Sequence, residues 1–574
     1  KAEYQIGAFP TAGFVWDVTN NKVPVKLNGS NVSGVFSFTK NLFLSEFIAS
    51  NGSAFYTPEK IGTVAYQNLH SLPQADYLIV SHPNFIQQAE RLANLHRDEG
   101  LIVHVVTPDQ IYNEFSSGSP DAVGIRMFMK MFYDRAVLSS DPLLYPKYLL
   151  LFGDGTYDPK DRIEGNNNFI LTYQVESSEN HINAMVTDDF FGMLNDNEAI
   201  NPTDMVDIGI GRLVVSDNTQ AKQQVDKIEH YLKNGSNLFA SNTSNCCLDS
   251  TTNGTFGDWR LKFIQIADDE EGGYFINTDT EPQYDMVKLN HREMNCDMLY
   301  LDAYPQQTSA GGQRCPEVYS AITDRVERGA LIVNYVGHGG EVGLAEERVV
   351  TIPQIQSWGN INALHLFVSA TCEFTKYDDP ERVSAGEWLS LNPIGGAIAL
   401  MTTTRSVFFG VNSATGLAFY NNVFERDTNQ LPRTFGTIMM ITKNQSGSSD
   451  NKRSFTLIGD PALRIALPRL EIVTDSINGQ YLTIIDTLNA LSKVTVKGHV
   501  TDNNGTLQSN YNGYLLPSVF DKVKNYITLG QDDTSPNINY ELQRNIVYKG
   551  KSTIQNGRFE FSFIVPKDIA LHMG

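Results

Sequence analysis

The chain has 574 residues, 44 of them basic and 65 acidic for a net charge of −21, with 41% hydrophobic and 10% aromatic residues. That length exceeds one hydrophobic core and predicts about two to four domains, and the apolar content is that of ordinary packed cores rather than of a disordered chain. The acidity argues against nucleic acid as a partner, because phosphate neutralisation needs clustered Lys and Arg, and no stretch approaches the roughly 18 apolar residues of a membrane-crossing helix.

Residues 1–74 are rich in Asn, Gly, Ser and Thr, with short alternating stretches such as GVFSFTKNLFL. This predicts a β-rich lead-in with Asn-Gly hairpin turns, and turn chemistry also accounts for the Asn-x-Ser/Thr sequons there. From residue 75 the pattern changes to alternating strands and helices. YLIVSH is followed by a helical FIQQAERLANLHRDEG that Gly100 closes, then by LIVHVVT, the amphipathic VGIRMFMKMFYDRAV, YLLLFGDG, MVDIGIGRLVV and the helix TQAKQQVDKIEHYLKN. We read 75–235 as a first α/β subdomain.

The alternation resumes in 236–467 with LKFIQIADD, CDMLYLDA, the helix PEVYSAITDRVERG, LIVNYVGHGG, a crossover helix at PQIQSW, LHLFVSATC, the helix SAGEWLSL and GAIALMTTT. Two helical stretches around 413–425 and 432–443 close this second subdomain. Continuous apolar strands alternating with helices predict a mainly parallel sheet covered on both faces. After Pro468, KVTVKGHVTDNNG and GRFEFSFIV carry the alternation of an antiparallel β-sandwich over 468–574. The chain opens at Lys1 without Met or a signal-like segment and closes at KDIALHMG just after a strand, so we expect a trimmed product with its last domain cut short.

Five cysteines, at 246, 247, 296, 315 and 372, have neither the number nor the spacing of a disulfide framework or a metal site. Cys246 and Cys247 read as small core residues, and a Cys296–Cys315 bridge has no support in spacing. Cys372 differs in its setting. In parallel sheets, catalytic groups gather at the carboxyl ends of strands. Here LIVNYV ends in Gly337-His338-Gly339-Gly340, LHLFVSAT in Cys372-Glu373, and LKFIQIA in Asp268-Asp269-Glu270-Glu271.

If the strands ending in His338 and Cys372 are neighbours, their tips lie about 5 Å apart. An imidazole at that distance makes a thiolate available near neutral pH. Taken alone, a strand-end Cys is usually a buried core residue and a strand-end His usually structural. His82 and His365 are read in that way. Together, with Gly339 and Gly340 allowing close backbone approach, the pair reads as nucleophile and general base. The N–H groups of Gly339 and Cys372 are then the expected oxyanion hole, and an acid of the 268–271 cluster orients the imidazole.

NYVGHGG, a strand and ATCEF resemble the catalytic core of the gingipain-type cysteine peptidases, a caspase-like family. SATCEFTKYDDPERVSAGEWL, GGAIALMTTTRSVF and IGDPALRIALP resemble its branch of signal peptidases in the bacterial type IX secretion system. YLLLFGDGTYD, VTDDFFG and IGIGRL resemble the first half of the family's catalytic domain, and DKVKNYITLG and FSFIVPKDIA extend the likeness beyond the peptidase core.

The resemblance implies two caspase-like subdomains, the second carrying the site, and an immunoglobulin-like β-sandwich. It implies Cys372 as nucleophile, His338 as base, Gly339 and Cys372 as oxyanion-hole donors, and an acid within IADDEEGG, where Glu271 is favoured over Asp269. It further implies a peripheral location on the bacterial outer-membrane surface, contact with type IX components such as PorV, and cleavage of a C-terminal sorting domain from secreted cargo. Transfer of the acyl group to an amine of anionic lipopolysaccharide would follow. No cofactor is required. Calcium, which takes hard oxygen ligands, is a candidate ligand of the Asp-rich loops at Asp154 and Asp158 and at Asp188 and Asp189, where Asx turns and helix caps are the competing explanation. The rival functions are a secreted hydrolytic protease and a non-catalytic surface scaffold.

Overall fold

The structure is a computed structural model that describes residues 1–41, 44–53, 55–60, 62–175, 179–180, 182–233, 255–481, 488–532 and 534–569. Cys246 and Cys247 lie outside the described residues. Two compact units divide the chain, Lys1–Gln67 and Asn68–Gly574. The first contains two three-stranded antiparallel sheets, with Phe9, Val15, Phe36 and Phe38 as its core. It is the β-rich segment that the turn-rich sequence predicts.

The second unit is built on ten strands. In chain order these are β1 (Tyr77–Ser81), β2 (Val103–Val106), β3 (Tyr148–Phe152), β4 (Gly209–Leu213), β5 (Lys262–Ala267), β6 (Asn295–Tyr300), β7 (Ile332–Val336), β8 (His365–Ala370), β9 (Ala397–Thr403) and β10 (Phe455–Ile458). They form one sheet in the order β6-β5-β7-β8-β9-β10-β4-β3-β1-β2. All neighbours pair in parallel except β9 and β10. The two halves therefore run in opposite directions and meet at β10, a short strand the sequence reading does not single out.

Side chains alternate between the two faces of this sheet. Ile332, Leu366 and Val368 join one core, whereas Val333, Tyr335 and Phe367 join another. The first core is roofed by α1 (Ile86–Asp98) and α4 (Asn218–Leu232) together with α9 (Phe409–Tyr420) and α10 (Phe435–Gln445). The second is roofed by α6 (Pro316–Arg328), α7 (Ile352–Ser357) and α8 (Ala385–Leu391). Helices on both faces explain why these strands read as unbroken apolar runs. Three further helices are α2 (Pro108–Phe115), α3 (Ala122–Ser139) and α5 (Glu281–Asn290). Thr107 and Gln110 form a capping box at the start of α2, a signal the apolar pattern hides.

After Pro468, a six-stranded sheet and two strand pairs form a β-rich region around Val494, Phe559 and Phe563. One of those pairs, Lys524–Ile527 with Asn539–Leu542, leaves this region and packs on the large sheet. Ile538, Tyr540 and Leu542 share a core with Ala267, Val336 and Ala370, the last residues of β5, β7 and β8.

Candidate active site

Three strand ends carry the site. Ala267, Val336 and Ala370 stand level across β5, β7 and β8, and neighbouring strands lie roughly 4.8 Å apart. Two residues past that row come Asp269, His338 and Cys372. The structure thus supplies the strand adjacency that the sequence reading required.

The backbone at His338 is fixed from below. Asp268 Oδ2 accepts its N–H at 2.8 Å, and the Tyr335 hydroxyl donates to its carbonyl at 2.5 Å. Gly337 has φ +156, and a Cβ there would lie 2.3 Å from Asp268 Cβ, so no side chain fits. A Cβ on Gly339 would meet Thr371 Oγ1 at 2.7 Å. The Gly339 backbone therefore lies directly against the residue that precedes Cys372.

The imidazole Nε2 of His338 is 3.3 Å from Glu271 Oε1 and 3.4 Å from Glu270 Oε2. Glu271, Gly272 and Gly273 all have positive φ, a left-handed run that folds the two carboxylates back onto the ring. Phe275 and Phe409 stand edge-on to the imidazole, with centroids 5.4 and 6.0 Å away. The Cys372 thiol is half-buried and faces Val407 O at 3.9 Å. In this state the thiol and the imidazole bond to these partners and not to each other. Catalytic contacts of this kind tighten when substrate binds.

Asp269 does not face the imidazole in these contacts. It accepts from Gln306 Nε2 and is buried. Burial, reinforced by Asp532, pushes its carboxyl up to about 6. Burial, reinforced by Asp269, pushes Glu347 up to about 7. Burial also raises Asp268, against the opposing pull of the His338 N–H. Gln306, Glu347 and Asp532 went unnoticed in the sequence, since nothing local marks them and Asp532 belongs to the C-terminal region.

Other sequence candidates are placed elsewhere. His82 Nδ1 accepts from Asn84 N and caps a short helix. His365 is fully buried, and its Nε2 has no partner. Burial pushes it down to about 3 and holds it neutral. It is a core histidine, though only half satisfied. Cys296 and Cys315 are free thiols, so they form no bridge.

The four carboxylates proposed for calcium are not gathered into one cluster. Asp188 pairs with the buried Arg212 at 2.7 Å. Asp189 pairs with Lys443 and Arg453. Asp158 accepts the backbone N–H groups of Lys160, Arg162 and Ile163, and Asp154 accepts that of Gly155. Cationic side chains or backbone N–H groups hold at least one oxygen of each.

Residues 70–466 match the model of peptidase family C25. No curated protein matches the chain. Among solved structures, dimeric latent PorU from Porphyromonas gingivalis is 25% identical with a TM-score of 0.51, over 99% of this chain and 48% of that one. The chain thus spans about half the length of PorU. The Arg-specific cysteine proteinase gingipain R is 15% identical with a TM-score of 0.52, over 88% of this chain and 94% of its own. The complex of Porphyromonas gingivalis RgpB pro- and mature domains is 16% identical with a TM-score of 0.50, over 86% and 93%. The two gingipain likenesses establish the fold, and the family match over most of the chain, on that fold, establishes the rest: this chain belongs to peptidase family C25, the gingipain-like cysteine peptidases.

Proposed function

We propose that the chain is an endopeptidase and transpeptidase that cleaves the C-terminal sorting domain from type IX secretion cargo and passes the acyl group to an amine of anionic lipopolysaccharide. The observation that carries the chemistry is the level placement of His338 and Cys372 beyond adjacent parallel strands, within a C25 chain. The likeness to PorU over 99% of this chain, C-terminal region included, supports the choice of secretion-linked cargo. Location at the outer-membrane surface and docking to components such as PorV belong to the same reading.

In this mechanism His338 takes the proton of Cys372, and the thiolate attacks the scissile carbonyl. The N–H groups of Gly339 and Cys372 hold the oxyanion. As the tetrahedral intermediate collapses, His338 gives its proton to the departing amine and a thioester remains on Cys372. An acceptor amine then attacks the thioester, its proton passes to His338, and the thiolate leaves. Glu270 and Glu271 hold the ring and stabilise the imidazolium between the two steps.

A strain carrying Cys372→Ala accumulates cargo with its sorting domain attached, and unchanged processing would overturn the assignment. Incubating enzyme, cargo and an amine acceptor separates transfer from hydrolysis, because only transfer gives an amine-linked product. A scaffold would leave processing intact in the Cys372→Ala strain.

A further inference from the structure

The two donors assigned to the oxyanion come from separate segments of chain, the Gly339 N–H from the loop after β7 and the Cys372 N–H from beyond the end of β8. Such donors stabilise charge well only when both are held in place at one oxygen, so one segment has to be fixed against the other. Gly339 and Gly340 have no side chains with which to do this. The first side chain beyond His338 is that of Glu341.

The bonds of Glu341 reach the segment after Cys372. Lys376 Nζ donates to its Oε1 at 2.7 Å, and Arg382 Nη1 donates to its Oε2 at 3.2 Å. Its carbonyl accepts the Ala385 N–H at 2.7 Å. The Glu341 side chain is only 15% exposed, so solvent screens these pairs less than it screens pairs on open surface. The receiving segment is itself anchored. Glu373 stands in the left-handed region at φ +51, a conformation that persists only where the surroundings enforce it. The Thr375 N–H donates to Thr403 O at 3.0 Å, and the Thr403 hydroxyl donates to Thr371 O. Asp378, fully buried, accepts Arg405 through two parallel bonds of 2.7 and 2.5 Å, a strong and directional geometry. On the other side, Gly339–Gly340 pairs with Gly343–Leu344, and Glu341 lies in the turn between them. Glu341 thus joins a hairpin that bears one donor to a platform that bears the other.

We infer that Glu341 is a positioning residue of the oxyanion hole, which holds the Gly339 N–H in register with the Cys372 N–H through Lys376 and Arg382. These bonds involve neither the thiol nor the imidazole, so the effect falls on steps that pass through an oxyanion and spares those that do not. The inference rests on the assignment of Cys372 as nucleophile and of the two N–H groups as donors, and on no particular cargo or acceptor.

Two small reagents separate those steps on the whole chain. With p-nitrophenyl acetate, the Cys372 thiolate adds to the ester carbonyl, an oxyanion forms, and p-nitrophenolate leaves as the thioester appears. Iodoacetamide alkylates the same thiolate by direct displacement of iodide, with no oxyanion on the path. Glu341→Gln should slow acylation about tenfold, short of the roughly hundredfold lost when a donor is removed, and leave the alkylation rate and its pH profile within about twofold of wild type. Adding Lys376→Gln to Glu341→Gln should cost little more, since both break one network. If Glu341→Gln does not fold, Lys376→Gln combined with Arg382→Gln replaces it with the same expectation. Equal slowing with both reagents would overturn the inference, because the loss would then lie in the thiol or the fold. An unchanged acylation rate in a folded variant would overturn it as well. Cys372→Ala checks the underlying assignment. Undiminished p-nitrophenolate release in that variant overturns the nucleophile and the inference together, whereas failure at Glu341 alone leaves the nucleophile standing.

Discussion

Three described thiols share one chain and differ in surroundings. Burial pushes Cys296 up to about 12 and Cys315 up to about 11, so at pH 7 roughly one molecule in ten thousand or fewer carries either as the reactive thiolate. Cys372 is half-buried at a strand end. Brief treatment with iodoacetamide at pH 7 should therefore label Cys372 ahead of Cys296 and Cys315, as read by peptide mass spectrometry, and earlier labelling of Cys315 would contradict the assignment. The paired carboxylates at His338 make a second prediction. Each of Glu271→Gln and Glu270→Gln leaves one carboxylate on the ring, so each should lower kcat/KM about tenfold, whereas the double variant should lose about a thousandfold or more, toward the cost of removing a triad acid. Asp269→Asn provides the comparison, since Asp269 faces Gln306 instead. The sequence narrowed the acid to four adjacent residues. The positive φ values at 271–273, which decide which of them turn back onto the ring, come from the folded loop.

Among elements, the hairpin Lys524–Leu542 has the least predictable role. Its alternation marks it as strand, and strand signals after Pro468 point to a separate β-domain. It packs instead on the ends of β5, β7 and β8. Asp302, 1% exposed, holds it there. Its carboxylate accepts from Gly530 N at 2.8 Å and Gln531 N at 2.9 Å, while its carbonyl accepts from Leu529 N. Ser535 Oγ in turn donates to Asp269 O. Removing the carboxylate with Asp302→Ala should cost about 3 kcal/mol, the sum of two charge-assisted hydrogen bonds, measured as a lower urea midpoint. Strand β10 was hidden for a different reason. FTLI is four residues long, too short for a period to emerge, and only its neighbours β9 and β4 define it.

Across the whole molecule, the two halves of the sheet are fastened by residues far apart in sequence. His96 on α1 and Asp460, just after β10, form a pair at 2.6 Å with both side chains fully buried. The Tyr77 hydroxyl also donates to Asp460, at 2.9 Å. Burial by itself would push His96 down, but Asp460 overcomes it and raises the group to about 10. A folded-state value above the unfolded 6.5 means that this stabilisation is complete below about pH 6.5 and is lost as pH rises through about 10. The melting-temperature gap between wild type and His96→Gln should accordingly be widest near pH 6 and narrow toward pH 10. A gap constant across that range would show that the pair carries no charge.

The sequence by itself determined the alternation of strands and helices, the parallel character of the sheet, and the two strand ends that carry His338 and Cys372. These follow from local periodicity and from Gly339 and Gly340 beside His338, which let the backbone approach closely. Tertiary structure alone decided that the halves join antiparallel at β10, that Glu270 and Glu271 meet the imidazole, and that Asp532 arrives from more than 260 positions away to share Gln306 with Asp269. Such pairings depend on which strands become neighbours and on which buried charges find partners. Neither leaves a period or a motif in the chain.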